Sequence, residues 1–404
     1  MNTGPIIRAL MRNKLGAALI ALQIAFTMTV IINAIFIINE RNRLMDQPSG
    51  MDDSNLFHVT VIGFGDDYDE EIVARDDMEM LRRTPGIVNA SVVNAIPVSG
   101  SGSSTGVRLI PDPTSPATGT AIYRSDEHIL DTMNLDLIAG EGFSETDMRL
   151  RYESGATLAD KAVVSRALVE ELFATEDVDS VIGETMFVDG DKQLQIVGVV
   201  EALQAPWPTS TLVERSTIVP ENFIDSFSRY MIRTEPGQLD RMMAEVEELL
   251  VANNSDRVIR QIRSMPETRF ETYRVDSALT TILWVVVGTL VVINSMGIVG
   301  LAVFSINRRR KQIGTRRALG ATRMAILRHF LLENFFITTI GVSIGALLTL
   351  GLSIVLTTNF NMPTMAWYYT PIGAFLLILV GQLAALGPSA KATRVAPATA
   401  TRSV

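Results

Sequence analysis

Polar and apolar positions alternate on two different scales along this chain, and the coarser one divides it. Leu15 to Ile38 is 24 residues without a charge, enough at about 1.5 Å per residue to cross a hydrocarbon core of about 30 Å with some tilt. Three more such runs follow near the carboxyl end: Ala278 to Ile306, a run over about 325–357, and Pro371 to Gly387. The pattern predicts an α-helical membrane protein with four transmembrane helices. A signal peptide is the competing reading of the first run, but an apolar core of that kind reaches only about 15 residues and ends in a small-x-small site. Residues 1–38 are therefore expected to be an uncleaved anchor with the amino terminus inside. The third run carries Gly341 and Gly345 at a small-xxx-small spacing, which lets a second helix approach closely. Trp367, Tyr368 and Tyr369 in the turn 358–370 are the amphipathic rings expected at a membrane interface.

Between the first and second runs, residues 39–277 switch to the finer scale. LFHVTVI alternates as a strand, Glu70 to Arg83 has helical character, and after Pro85-Gly86 comes the β-branched run IVNASVV. The order returns with RYMIRT, a helical stretch from Gly237 to Val251, and RVIRQI. Two strand-helix-strand halves, 55–97 and 225–275, predict a split ferredoxin-like subdomain within a large α+β domain between the first and second spans. Residues 98–224 read as an inserted, mostly β subdomain. TMFVDGDKQLQIVGVVEAL forms two short strands around the hairpin signal Asp189-Gly190, while Pro111 to Pro116 reads as a loop. SGSGSS at Ser99 to Ser104 lacks the Gly-Lys-Ser/Thr ending of a phosphate-binding loop and is read as a connection.

Charge orients this arrangement. The chain of 404 residues has a net charge of −9, yet 43 of its 44 acidic residues lie between Glu40 and Asp276, where 21 basic residues leave −22. Ile306 to Glu333 holds eight Lys or Arg and a single acid at its end. Positive residues are retained on the inner side, so 307–324 is predicted to be a cytoplasmic segment between spans 278–306 and 325–357. Arg8, Arg12 and Lys14 at one end, and Lys391, Arg394 and Arg402 in the tail 388–404, fall on the same side, which leaves 39–277 outside. An acidic outer domain excludes a nucleic-acid reading. With no cysteine, and with His58, His128 and His329 far apart, no metal site is predicted. The carboxylate pairs Glu170/Glu171 and Asp189/Asp191 sit in no motif that would separate their pKa values, and Ser165 and Ser216 have no G-x-S-x-G context. No Walker A sequence occurs, so the chain is predicted to be non-catalytic and to bind no cofactor itself; ATP would be held by another chain. Glu333 is the sole acid of the later spans, at a cytoplasmic interface, expected to pair with a nearby Arg such as Arg328 or with a partner subunit. Spans this poor in ionisable groups argue against a substrate path through the bundle.

At RRRKQIGTRRALGATRMAILRHFLLEN the sequence resembles the MacB/FtsX-type ABC transporter permeases. The resemblance rests on Arg310, Ile313, Gly314, Arg316, Arg317, Ala318, Leu319, Gly320 and Ala321, with Phe330, Leu331 and Glu333 beyond them. HILDTMNLDLIAGEGFSETD, AVVSRALVEELF, QIVGVVEAL and PSAKATRVAPATA are similar to other parts of that family. Gln312 stands where the family carries Glu, so a charged contact would become a weaker neutral one. The resemblance implies a bacterial inner-membrane permease whose separate ATPase subunit binds ATP and Mg. A short helix around Lys311 to Leu319, with Gly314 and Gly320 as turns at its ends, would receive that subunit's motion and pass it through the second span to the periplasmic domain. It further implies a second permease copy or related permease, and often a periplasmic membrane-fusion adaptor with an outer-membrane channel, for export of a peptide, lipoprotein or amphiphilic compound. A regulator that activates a periplasmic hydrolase is the alternative role. If Arg308 to Arg328 served topology alone, they would only touch membrane lipid; the ordered IGTRRALGA pattern favours coupling.

Overall fold

The computed structural model describes residues 14–112, 114–151, 157–188, 190–208, 210, 212–223, 227–360 and 362–394. Asp189, Arg8, Arg12 and Arg402 lie outside the described residues. The chain divides into a helical unit, Met1–Arg43 with Asp276–Val404, and a sheet unit, Leu44–Val275.

Helix α1 spans Lys14–Met45, seven residues past the end of the charge-free run. Asn39 to Arg43 contains no helix breaker, and Arg43 reaches back one turn to Glu40 at 2.7 Å, so the backbone stays helical until the Pro48-Ser49-Gly50 stretch.

The sheet unit opens with β1 (Leu56–Gly63), α2 (Glu70–Arg83) and β2 (Ile87–Val93). Asp69 caps α2 by accepting from the Ile72 N–H, and acids in the first turn with arginines in the last complement the helix dipole. The insert follows: β3 (Ser104–Arg108), β4 (Thr118–Ser125), α3 (Ile129–Met133), β5 (Leu137–Gly140), β6 (Arg149–Arg151), β7 (Lys161–Ser165), α4 (Arg166–Phe173), β8 (Thr185–Val188), β9 (Lys192–Val200) and β10 (Ser216–Phe223). The chain then returns with β11 (Phe227–Thr234), α5 (Leu239–Asn253), β12 (Arg257–Ser264) and α6 (Met265–Thr272).

Strand order β12-β1-β11-β2, antiparallel throughout, is that of a split βαβ pair. Phe57, Val59 and Val61 of β1 enter one core with Met78 and Leu81 of α2 and Met242, Val246 and Leu250 of α5. Inside it, fully buried Asp77 and Arg257 form an ion pair, and the Tyr230 hydroxyl and Asn253 amide each donate to Asp77 at 2.8 Å. The insert is a mixed sheet with parallel β4–β10 and β7–β9 pairings. It joins the ferredoxin-like half through the Val93–Ser125 pairing and a shared core in which Leu56, Val93 and Met231 meet Tyr123, Val163 and Ile218. Within the insert, buried Glu221 accepts from Ala159 N–H at 2.8 Å and Arg124 at 3.0 Å, and also from Thr157 and Leu158. Burial pushes its carboxyl up, but those donors outweigh burial and hold it below the usual range.

The helical unit continues with α7 (Arg274–Arg308), α8 (Arg310–Ala318), α9 (Arg323–Phe360) and α10 (Tyr369–Ala392). Together with α1, the three long helices among these are apolar and long enough to cross a membrane. Each extends past its charge-free run, because polar flanks propagate a helix once the apolar part has nucleated it. α10 passes through Gly387-Pro388, which reads as a stop: Pro388 removes one backbone bond, and the helix resumes to Ala392. Ile24, Met28 and Ile32 of α1 form the middle of a core shared with Ile298 of α7, Ile337 and Val342 of α9, and Leu377 of α10.

Candidate functional site

The basic segment folds as a short helix between two long ones. α7 ends at Arg308, and Arg309 breaks the helix (φ −107°, ψ 13°) while its N–H donates to both Ser305 and Ile306 carbonyls at 3.2 Å. α8 then starts with Arg310 and Lys311, the wrong sign for a helix amino terminus, and ends with Arg316 and Arg317, the right sign for its carboxyl end. Local electrostatics therefore do not hold its first turn. Packing does: Ile313, 5% exposed, enters a cluster with Ile306 of α7, Ile326 and Phe330 of α9, and Ala392 of α10. Burying such a side chain contributes about 1.5–3 kcal/mol.

At the other end, Gly320 (φ +95°) sits just past the helix. Its N–H donates to the Arg317 carbonyl at 3.1 Å, and the Ala321 N–H donates to Arg316 at 3.0 Å. This paired closure requires a left-handed residue, which Gly supplies without strain. Thr322 then caps α9, its hydroxyl accepting from the Ala325 N–H at 3.2 Å. Gly314 does not mark an end, as the sequence suggested. It lies in the middle of α8, buried beside Ile313, where the absence of a side chain suits close packing.

One face of α8 is thus tied down and the other open. Arg310, Lys311, Gln312, Arg316, Ala318 and Gly320 are exposed, and Arg317 and Ala321 are half-buried. Leu319 is 83% exposed. Glu333, expected to pair with a nearby Arg such as Arg328 or with a partner subunit, accepts from the Arg309 guanidinium at 2.9 Å and is 8% exposed. Five residues along a helix place Arg328 about 140° away from Glu333, whereas the break at Arg309 turns its side chain toward α9. The supporting residues Arg309, Ile306, Ile326 and Ala392 were not singled out from the sequence. Their signal was there in the isolated isoleucines of a basic stretch, Ile306 and Ile313 seven apart, with Ile326 and Phe330 one turn apart.

Gly341 and Gly345 lie on α9 against α1. A Cβ on Gly341 would sit 2.7 Å from the Ala21 carbonyl oxygen, and one on Gly345 would sit 2.8 Å from Met28 Cβ. The Thr29 hydroxyl bridges the same contact, 2.9 Å from the Ala25 carbonyl and 3.4 Å from that of Gly345.

Of the residues weighed for catalysis, Ser165 and Ser216 meet, the Ser216 N–H donating to the Ser165 hydroxyl oxygen at 3.0 Å, but both hydroxyls are spent on backbone carbonyls. Ser165 donates to the Glu214 carbonyl at 2.8 Å, Ser216 donates to that of Leu203 at 2.7 Å, and Glu170 and Glu171 are exposed. Among the described residues no three His, Asp or Glu gather as a metal site.

Comparison with known proteins assigns both parts. Residues 17–257 match the family described as MacB-like periplasmic core domain, and residues 284–397 match the FtsX-like permease C-terminal family. The chain is 25% identical over 266 residues to YknZ of Bacillus subtilis, an uncharacterized ABC transporter permease, covering 63% of this chain and 66% of that one. It is 24% identical over 409 residues to PvdT of Pseudomonas fluorescens, a pyoverdine export ATP-binding/permease protein, covering 97% of this chain and 58% of that relative. The periplasmic region of MacB from Actinobacillus actinomycetemcomitans is 14% identical and aligns over 55% of this chain and 94% of its own, with a TM-score of 0.32. Each curated relative extends beyond the part that this chain spans. With both family matches in place, and four helices able to cross a bilayer, the chain belongs to the MacB/FtsX-type ABC transporter permeases, multi-pass inner-membrane proteins with a periplasmic domain.

Proposed function

We propose that α8 is where the ATP cycle of a separate ATPase subunit enters this permease, and that the resulting motion is passed to the periplasmic domain as mechanical work. The observation that carries this reading is the division of α8 into two faces. Ile313 and the Arg309–Glu333 pair fasten one side to α7, α9 and α10. Arg316 and Leu319 stand open on the other. A push on the open face is transmitted because the fastened face leaves no slack.

α7 supports the next step, since it runs unbroken for 35 residues from Arg274 to Arg308. Arg41 of α1 pairs with Asp276 of α7 at 3.0 Å, so tilting α7 also loads α1. Glu333, the sole acid after Asp276, is committed to Arg309, which favours transmission over conduction through the bundle. The cargo class in this reading is a peptide, lipoprotein or amphiphilic compound handled on the outer side. A second permease copy completes the transporter, and an adaptor with an outer-membrane channel receives the cargo.

The test is co-purification of the full-length chain with its ATPase. Replacing Arg316 and Leu319 together by Ala removes an exposed cation and an exposed apolar knob from the open face without touching Ile313. Complex yield and ATPase stimulation are expected to fall at least about tenfold, the loss of roughly 1.4 kcal/mol of binding. An intact, stimulated complex would refute the coupling role of α8.

A further inference from the structure

Hydroxyls inside the long helices commonly bond back to their own backbone, and Ser389 does not. Thr281, Thr289, Ser295, Thr339, Thr349 and Thr357 each donate to the carbonyl one turn back, at 2.8–3.0 Å. That local bond satisfies a hydroxyl where hydrocarbon supplies no partner. Ser389 of α10 is 1% exposed, and its buried Oγ has no partner in the protein. It lines a cavity of about 40 Å³ inside the helical unit.

The polar part of the cavity wall comes from three helices: Ser305 of α7, Glu333 and Asn334 of α9, and Ser389 of α10. A buried water needs two to four polar partners and roughly 10–15 Å³. This cavity supplies such partners and has room for about three waters on that measure. Glu333 is 8% exposed and accepts from Arg309 at 2.9 Å, and a carboxylate has lone pairs for further donors beyond that one. Phe330 is shared. It lines the cavity and also belongs to the cluster that buries Ile313 of α8.

We propose that the cavity is a hydrated site, in which ordered waters bridge the Ser389 hydroxyl and the Glu333 carboxylate, and that this water makes the fastening of α8 releasable. A water at Ser389 Oγ provides the partner that the helix does not. Taking a carboxylate and a guanidinium out of water is costly, and parting them in a dry interior leaves two bare charges. Water held at Glu333 takes over as donor when Arg309 moves away, so the pair can open and close without that penalty. The remaining hold on α8, Ile313 against Ile306, Ile326 and Phe330, is apolar and non-directional, and it re-forms without an exact register. The inference uses the fastened face of α8 alone and is independent of what binds the open one.

The full-length chain in a non-ionic detergent, given a short X-ray pulse that turns water into hydroxyl radicals and then mapped by mass spectrometry, tests the site. Phe36, 6% exposed and packed on Tyr369, is the reference for Phe330, 7% exposed. Phe330 is expected to be hydroxylated several-fold faster than Phe36. Ser389→Val fills the cavity and is expected to bring Phe330 down to the Phe36 rate. In that variant, amide hydrogen exchange at Ile313 and Gly314 is expected to slow several-fold, because the local opening of α8 has lost its water. Ser389→Ala separates a wet site from a dry one by sign. Removing an unsatisfied hydroxyl from a dry cavity raises the melting temperature, whereas losing a bond to held water lowers it, by about 2–4 °C. Phe330 labelled no faster than Phe36, a melting temperature raised in Ser389→Ala, or α8 exchange that Ser389→Val leaves unchanged overturns the proposal.

Discussion

His58 shows how one buried ring makes a domain sensitive to acid. Its folded pKa, lowered to about 4, lies below the unfolded value near 6.5, so between these pH values the unfolded chain binds the proton and the folded one does not. Stability is then unaffected above about pH 6.5 and falls as pH drops toward 4, by up to about 3 kcal/mol from this residue. Urea unfolding followed by Trp207 fluorescence, in a background with Trp284 and Trp367 replaced by Phe, reads the sheet unit alone. His58→Gln is expected to flatten the pH 4–6.5 limb of that profile. Gly341 makes the corresponding case in the bilayer. Gly341→Ala drives a methyl into the Ala21 backbone and is expected to cost about 1–3 kcal/mol of thermal stability in detergent. Gly351→Ala, with nothing within 4 Å, is expected to be neutral or to gain up to about 1 kcal/mol. The small-xxx-small spacing was visible in the sequence because it depends on helical period alone. The Arg309–Glu333 pair was not, because its geometry depends on where α7 breaks.

Among elements, the strands were legible and the helix ends were not. LFHVTVI and RYMIRT alternate cleanly, since one face of each meets α2 and α5, and that alternation also predicts which side chains line the opposite face. Helix ends were underestimated because charge-free runs mark only the part of a span that meets lipid, while Glu40 to Arg43 and Arg274 to Ser277 continue the same helices in polar sequence. α8 was placed within a residue of its observed start and end, since the Leu319-Gly320-Ala321 closure is written in residue types. Its fastening was hidden, because Ile313 needs α9 and α10 beside it to have a core at all. The Asp77–Arg257 pair lies in the same category: partners 180 residues apart, invisible to any local pattern. Asp77→Asn leaves Arg257 buried beside a neutral amide and is expected to destabilise the sheet unit by about 3–5 kcal/mol. The Trp207 urea midpoint checks it; a shift under roughly 1 kcal/mol would mean that Tyr230 and Asn253 hold α2 without the charge.

Across the whole molecule, the distribution of charge carried more information than its sum. A net −9 describes neither part, whereas −22 outside and a basic inner segment gave the topology from the sequence. The strand order has a further consequence for biosynthesis. Both neighbours of β1 are encoded long after it, β11 about 170 and β12 about 200 residues later. At a bacterial elongation rate of about 5–20 residues per second, β1 emerges roughly 10–30 s before its first hydrogen-bonding partner exists. During that interval its unpaired edge and its Phe57, Val59 and Val61 face lie open on the far side of the membrane, while the insert can already build its own sheet. Nascent chains of this protein are therefore expected to need protection at β1 above all, and to be lost to aggregation or proteolysis when translation stalls between Val93 and Phe227.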